Sequence, residues 1–323
     1  MKKSSRIYVA GHRGLVGSAI VRCLAEHGYE NLVLHTHDEL DLTDRPAVHA
    51  FFQQEKPEYV FLAAAKVGGI LANETFPADF IRENLEIQTI VIDASYRHQV
   101  KRLLFLGSSC IYPKFAPQPL KEEYLLTGPL EPTNRAYALA KIAGIEMCWS
   151  YNRQYGTKYV AAMPTNLYGP GDNFDLKASH VLPALMRKVV EARLAGEKKL
   201  IVWGSGCPRR EFLYTEDLAE ACLHLMNLPD EVYERLLETN EAPLINIGTG
   251  EDLTIRELAE LIARVLDFDC ELVFDTSKQD GTPQKLLDSS KIHALGWRAK
   301  VGLEEGIRLT YKAVRGELER SFS

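Results

Sequence analysis

Val9-Ala10-Gly11-His12-Arg13-Gly14-Leu15-Val16-Gly17 joins a short apolar run beginning at Ile7 to a helical pattern that continues to about Glu26 and meets Gly28, a plausible C-cap. The glycines are spaced G-x-x-G-x-x-G. Between a strand and a helix each serves a separate purpose. Gly11 permits the tight turn, Gly14 lets backbone approach a pyrophosphate, and Gly17 lets helix pack on strand. A plain glycine turn can carry the same spacing. The position in a β-loop-α unit is what makes the fingerprint informative.

Outward from this loop the same rhythm repeats. Leu32-His35, Tyr59-Ala65, Leu103-Leu106 and Tyr159-Met163 read as further strands, with helical patterns between them, the longest over Pro77-His98 and Ala136-Tyr155. That alternation predicts an α/β fold, a Rossmann-type doubly wound parallel sheet covered on both faces. From about Met163 the texture changes: Pro164, Gly169, Pro170 and Gly171 break the pattern, and a less regular region follows. A helix near Thr215-Asn227 and a strand at Leu244-Ile247 return the chain to the first domain. The expected division is a dinucleotide-binding domain over 1–165, with return segments near 215–250, and a smaller, discontinuous α/β substrate domain within 166–323. No repeat, low-complexity tract or flexible linker separates the two, so they are expected to share a cleft.

Composition bounds the possibilities. With 323 residues, 46% of them hydrophobic, the chain can build a sizeable core without disulfides or metals. A net charge of -6 and the lack of a basic run argue against broad nucleic-acid binding, and an anionic substrate would need a local basic pocket. Cys23, Cys110, Cys148, Cys207, Cys222 and Cys270 are dispersed, with no C-x-x-C pair, and read as reduced thiols of a cytoplasmic protein rather than zinc ligands. Met1 to Arg6 leaves no room for a cleavable signal, and no uncharged apolar stretch is long enough to span a bilayer.

An NAD site usually ends its second strand in an acid that accepts hydrogen bonds from the ribose 2′-hydroxyl. Here that strand ends in His35-Thr36-His37, and Asp38 comes one residue later. Arg13, inside the glycine loop, can meet a 2′-phosphate, which favours NADP(H); the alternative leaves Arg13 a solvated surface residue. Tyr137-Ala138-Leu139-Ala140-Lys141 places a phenol and an ammonium on one helix face, where the cation favours phenolate and can hold the nicotinamide ribose. Such a pair is common by chance. Phe105-Leu106-Gly107-Ser108-Ser109-Cys110-Ile111-Tyr112-Pro113 lies at the carboxyl end of a predicted parallel strand, where ligands of open sheets bind. Ser108 there can bond a substrate carbonyl and complete a Ser/Tyr/Lys set for hydride transfer, or can simply cap a turn.

These motifs, with Arg210-Glu211-Phe212-Leu213-Tyr214-Thr215-Glu216-Asp217 and Asn246-Ile247-Gly248-Thr249-Gly250, resemble the extended short-chain dehydrogenases that act on nucleotide sugars, the NAD-dependent epimerase/dehydratase family. Ala63-Ala64-Ala65-Lys66-Val67-Gly68-Gly69-Ile70, the Gly107 to Pro113 segment, Pro164-Thr165-Asn166-Leu167-Tyr168-Gly169-Pro170 and Asp172-Asn173-Phe174 are similar to its GDP-L-fucose synthase branch, and the likeness spans nearly the whole chain.

The resemblance implies conversion of GDP-4-keto-6-deoxy-D-mannose to GDP-L-fucose by epimerisation at C3 and C5 and NADPH-dependent reduction at C4. It assigns Ser108, Tyr137 and Lys141 to reduction, and Cys110 and His180 to epimerisation as base and acid. NADP(H) would be held by Gly11, His12, Arg13, Gly14, Leu15, Val16, Gly17, His37, Asp41, Leu42, Leu106, Gly107, Ser108, Lys141, Pro164, Asn166, Leu167 and His180. Lys188, Trp203, Arg210 and Asp280 would bind the GDP-sugar. No metal is implied, and the two long helices would form a homodimer interface. Taken alone, Cys110 reads as a buried inert thiol, His180 as a cap or surface residue and Trp203 as core packing. Arg187 and Arg209 are neighbours with no separate role assigned.

Two departures stand out. Met163 precedes Pro164 where broader relatives often carry Arg, and His37 stands where bacterial members often have Arg, which leaves Arg13 as the main fixed cation near a 2′-phosphate. The competing readings are a nucleotide-sugar 4-epimerase or 4,6-dehydratase, which recycles hydride internally and needs no acid/base pair beside C3 and C5, and a non-catalytic NADP(H)-binding sensor, which needs none of the five catalytic candidates.

Overall fold

The computed structural model describes residues 1–176, 179–238, 241–278 and 280–320. The chain opens with β1 (Ile7–Ala10), α1 (Leu15–Glu26), β2 (Leu32–Val33), α2 (Arg45–Glu55), β3 (Tyr59–Leu62), α3 (Ile70–Thr75), α4 (Pro77–Arg97), β4 (Arg102–Leu106), α5 (Arg135–Tyr155) and β5 (Tyr159–Pro164). It continues through β6 (Asn166–Tyr168), α6 (Val181–Leu194), β7 (Lys199–Trp203), β8 (Arg209–Tyr214), α7 (Thr215–Asn227), α8 (Asp230–Leu237) and β9 (Leu244–Ile247). The last elements are β10 (Asp252–Thr254), α9 (Ile255–Val265), β11 (Glu271–Asp275), β12 (Gln284–Lys285), α10 (Ser290–Ala294) and α11 (Leu303–Arg320).

Local chemistry explains the principal elements. α1 buries Gly17, Ala19, Ile20, Cys23 and Leu24, residues three and four apart on one face, and stops where Gly28 adopts a φ of +73° that other residues resist. α2 begins at Asp44, whose carboxylate accepts from the Ala47 amide, and α9 begins with a reciprocal Thr254/Glu257 capping box. β1 and β5 are buried at every position, as strands covered on both faces must be.

Six strands form one parallel sheet in the order β2-β1-β3-β4-β5-β9. Its direction of winding reverses between β1 and β3, which opens a crevice beyond the carboxyl ends of those strands. Successive β4 side chains feed opposite cores: Phe105 belongs to the cluster that includes Val48, Phe52 and Ile145, whereas Leu104 belongs to the one that includes Ile20, Leu24 and Leu218. A third core, with Met186, Leu200, Phe212, Leu258 and Ile307, gathers α6, α9 and α11 around β7 and β8. β6, β10 and β12 pair with β8, and β11 pairs with β7. No helix of the described residues is long and apolar enough to cross a membrane.

Two strands are shorter than the sequence suggests. The one expected over Leu32-His35 ends at Val33, because edge strand β2 has no second partner and peels away. The one expected over Tyr59-Ala65 ends at Leu62, since its partner β1 turns at Gly11 and leaves the following residues without a ladder. The residues released, His35-His37 and Ala63-Lys66, become wall of the crevice.

Buried Glu211 ties β8 to β6 and to the segments that follow β9 and β12. One carboxylate oxygen accepts from the Gly250 amide at 2.7 Å, the other from the Leu287 amide at 2.9 Å, and its carbonyl accepts from the Asn166 amide group at 2.7 Å. Burial raises its pKa, and these donors oppose the rise by solvating the anion.

Candidate active site

The crevice is a cleft of about 1220 Å³, larger than the roughly 300–1,000 Å³ of a usual one-ligand pocket, so a dinucleotide and a second ligand fit together. Every catalytic, cofactor-binding and substrate-binding candidate named from the sequence borders it.

At one end lies the glycine loop. Gly11 has φ +81°, and a Cβ there would sit 2.7 Å from the Ala64 amide nitrogen; one at Gly17 would sit 2.1 Å from the Gly11 carbonyl oxygen. Both positions therefore exclude any larger residue. Gly14 is the N-cap of α1, so the first amides of that helix are free of intrahelical bonds and face the cleft, as a pyrophosphate requires. Arg13 is exposed and, among the described residues, has no ion pair. Asp41 is occupied by its own turn, accepting from the Thr43 amide and hydroxyl at 2.8 Å each, and Glu39 accepts from the Thr36 amide at 2.8 Å. Arg13 with His35 and His37 thus presents donors at the corner where a 2′-phosphate would lie, and this chemistry fits NADP(H). Met163, one of the two departures, is fully buried against Gly107, where a Cβ would overlap its thioether.

Ser108 leads out of β4 into a short turn over Ser109–Ile111, and its hydroxyl accepts from the Cys110 amide at 3.4 Å. It does cap a turn, and it also reaches the side chains of Tyr137 and Cys110. α5 carries Tyr137 and Lys141 one turn apart. The Lys141 ammonium donates to the Leu106 carbonyl at 2.8 Å and lies 5.7 Å from the centre of the Tyr137 ring, whose edge meets Phe80.

Burial decides the protonation of this group. It pushes the Tyr137 phenol well above its ordinary pKa, with Cys110 adding to the rise and Ser108 opposing it. The phenolate expected from the neighbouring ammonium is not the favoured form of the free site, because desolvation outweighs that attraction. A phenol in that state can donate a hydrogen bond or a proton. Lys141 is lowered to about 8, again by burial, with Cys110 resisting the change. The Cys110 thiol is buried and raised, and Lys285, the Ser108 hydrogen bond and Lys141 pull it back, in that order. His180 precedes α6 in extended backbone and its ring caps nothing; it is open to the cleft yet enclosed by protein, which lowers its pKa, as does Lys285.

The far end holds the remaining candidates. Trp203 is 51% exposed, so it is no core residue; Lys188 and Lys278 place their ammonium groups 4.6 and 5.3 Å from its ring centre. Asp280 accepts from the Ser205 amide at 3.0 Å and hydroxyl at 2.7 Å, closing the loop after β7. Arg210 faces the cleft, whereas Arg209, on the alternate side of β8, pairs with Asp252 at 2.8 Å, and Arg187 pairs with Glu191 at 2.7 Å. The structure thus gives ion-pair partners to the two arginines, Arg187 and Arg209, to which the sequence assigned no separate role. It also brings in Glu131, Asn134 and Lys285, which no sequence pattern marks. Lys285 stands in a two-residue strand aligned only through its pairing with β8.

A parallel sheet with a glycine-rich phosphate loop at its switch point and a Ser/Tyr/Lys set beside it defines a nucleotide-binding oxidoreductase of the extended short-chain type. The chain belongs to the NAD dependent epimerase/dehydratase family, whose model matches residues 7–248, and within it to the GDP-L-fucose synthases. It is 59% identical to GDP-L-fucose synthase 1 of Arabidopsis thaliana over 96% of this chain and 93% of that one. It is 55% identical to GDP-L-fucose synthase of Escherichia coli (strain K12) over 95% of each chain. Among solved structures, a GDP-D-glycero-L-gluco-heptose synthase from Campylobacter jejuni, determined in the presence of NADPH, superposes with a TM-score of 0.90 at 41% identity, covering 98% of this chain and 99% of that one.

Proposed function

We propose that this chain converts GDP-4-keto-6-deoxy-D-mannose to GDP-L-fucose, inverting C3 and C5 and then reducing C4 with NADPH. The observation that carries the reading is the meeting of two chemically distinct sets, Cys110 with His180 and Ser108 with Tyr137 and Lys141, in one cleft. C3 and C5 both flank the C4 ketone. Loss of either proton yields an enolate delocalised onto the same oxygen, so one acid/base pair serves both carbons if the sugar repositions. Positioned proton transfer contributes about 10²- to 10⁴-fold to each step.

In this mechanism Ser108 and Tyr137 donate to the C4 oxygen as negative charge grows there. Cys110 takes the proton from one face and His180 returns one from the other. Enclosure disfavours imidazolium in the free cleft; the diphosphate of the substrate, drawn in by Lys188 and Arg210, offsets that by adding negative charge. NADPH, when bound, supplies the hydride that reduces C4. Tyr137, held protonated by burial, gives the new hydroxyl its proton, and Lys141 orients the ribose beside it.

On the same reading, residues 1–165 with the return segments near 215–250 hold NADP(H), and the discontinuous remainder holds the GDP-sugar. Two copies pair through α4 and α5, and the enzyme works in the cytoplasm, where its six thiols stay reduced. The deciding experiment incubates the protein with the keto-sugar nucleotide in D2O, first without NADPH and then with it. Deuterium at C3 and C5 followed by stoichiometric NADPH oxidation is the expected outcome. NADPH oxidation without exchange would leave a plain 4-ketoreductase, and neither event would return the sensor and the other nucleotide-sugar enzymes to consideration.

A further inference from the structure

β12 pairs in parallel with β8, Lys285 opposite Arg210, and so carries a lysine to the rim of the cleft. There Lys285 lines both the cleft and a small cavity beneath it that Ser109, Cys110 and Glu131 share. Its environment differs from that of the other cations nearby. Lys141 is tied to the Leu106 carbonyl, Arg210 to the Arg209 carbonyl, Lys188 to the Ile201 carbonyl and Lys114 to Glu131. Among the described residues the Lys285 side chain has neither a hydrogen bond nor an ion pair, although it is half-buried and closed in on the cleft side. An enclosed ammonium without a partner is costly unless an anion meets it.

We propose that Lys285 is a positioning residue that holds Cys110 as the thiolate from which proton transfer at C3 and C5 begins. The inference rests on the epimerase reading. The groups facing Cys110 are Ser108 from its own turn, Tyr137 and Lys141 from α5, Lys285 from β12, and beyond them Arg210, Glu131 and His180. Tyr137 is neutral, Glu131 is already paired with Lys114 and Lys141, though it also favours the thiolate, is held by a carbonyl, so Lys285 is the nearby cation whose ammonium has no partner among the described residues. Burial raises the thiol, and Lys285 leads the groups that oppose it; reciprocally Cys110 leads those that keep Lys285 charged. In the step itself the sulfur lone pair takes the proton from carbon, the C–H electron pair passes into the enolate at C4, and thiolate becomes thiol. Nothing is oxidised or reduced.

The test needs no sugar. Alkylation of Cys110 by iodoacetamide, followed peptide by peptide by mass spectrometry across pH, is compared in the full-length chain and in Lys285→Met, Lys285→Gln and Lys285→Arg, with circular dichroism to check folding and calorimetry to measure GDP affinity. We expect the Met and Gln variants to alkylate Cys110 about tenfold more slowly at neutral pH, the effect of raising a thiol by about one pKa unit, and Arg to restore the rate. An unchanged alkylation profile in folded Met and Gln variants overturns the proposal. If GDP affinity falls instead, the lysine is a diphosphate ligand. Because alkylation requires neither NADPH nor keto-sugar, failure here is distinguishable from failure of the proposed reaction.

Discussion

Tyr137 and Lys141 sit one turn apart in α5, and burial moves both toward neutrality, the phenol by keeping its proton and the ammonium by losing it near pH 8. Two outcomes follow at the scale of single side chains. On the proposed mechanism Tyr137→Phe removes the proton donor to the C4 hydroxyl, so NADPH oxidation should fall by about 10²- to 10⁴-fold while deuterium exchange at C3 and C5 persists at a reduced rate. Because Lys141 is charged below about 8 and neutral above it, single-turnover reduction should decline as pH rises through that value. Lys141→Arg keeps its charge throughout and should lose that alkaline limb, whatever its absolute rate. Glycine positions belong to the same scale. Gly11 and Gly17 were legible because backbone contact excludes a side chain, a constraint that leaves a spaced pattern in sequence.

Among the elements, β4 shows a buried charge put to structural use. Arg102 opens the strand, donates to the Met226 and Leu228 carbonyls at 2.9 Å each, reaches Asp230 at 2.6 Å and lies over the Tyr233 ring. It ties the end of α7 to the sheet. In Arg102→Met the carbonyls lose their donor while Asp230, largely exposed, stays solvated, so the cost comes from the carbonyls, about 1–3 kcal/mol for each left unsatisfied. A urea melt should therefore show a lower midpoint with the slope unchanged. The long helices α4 and α5 were foreseeable to within a residue, since Pro77 starts one and Gly156, at φ +66°, ends the other. β12 was not. Two residues carry no period, and the strand exists only because β8 offers an edge.

The whole molecule is three cores wrapped around one cleft, with the first two on opposite faces of the parallel sheet. Light scattering at micromolar concentration should return twice the mass of one chain if α4 and α5 pair two copies, and a single-chain mass would remove that interface. What the sequence determined by itself was the part of the design written in neighbouring residues: the alternating strands and helices, the glycine loop, the Ser108 turn and the Tyr137/Lys141 face of a helix. Each depends on backbone geometry over a few positions, which periodicity and spacing record directly. The tertiary structure decided that Arg209 and Arg187 are taken up in ion pairs, that Trp203 is exposed, and that Lys285 lines the same cavity as Cys110. It also decided which of these groups carry protons, because desolvation and charge act through space and sum over atoms from distant stretches of chain that no local pattern brings together.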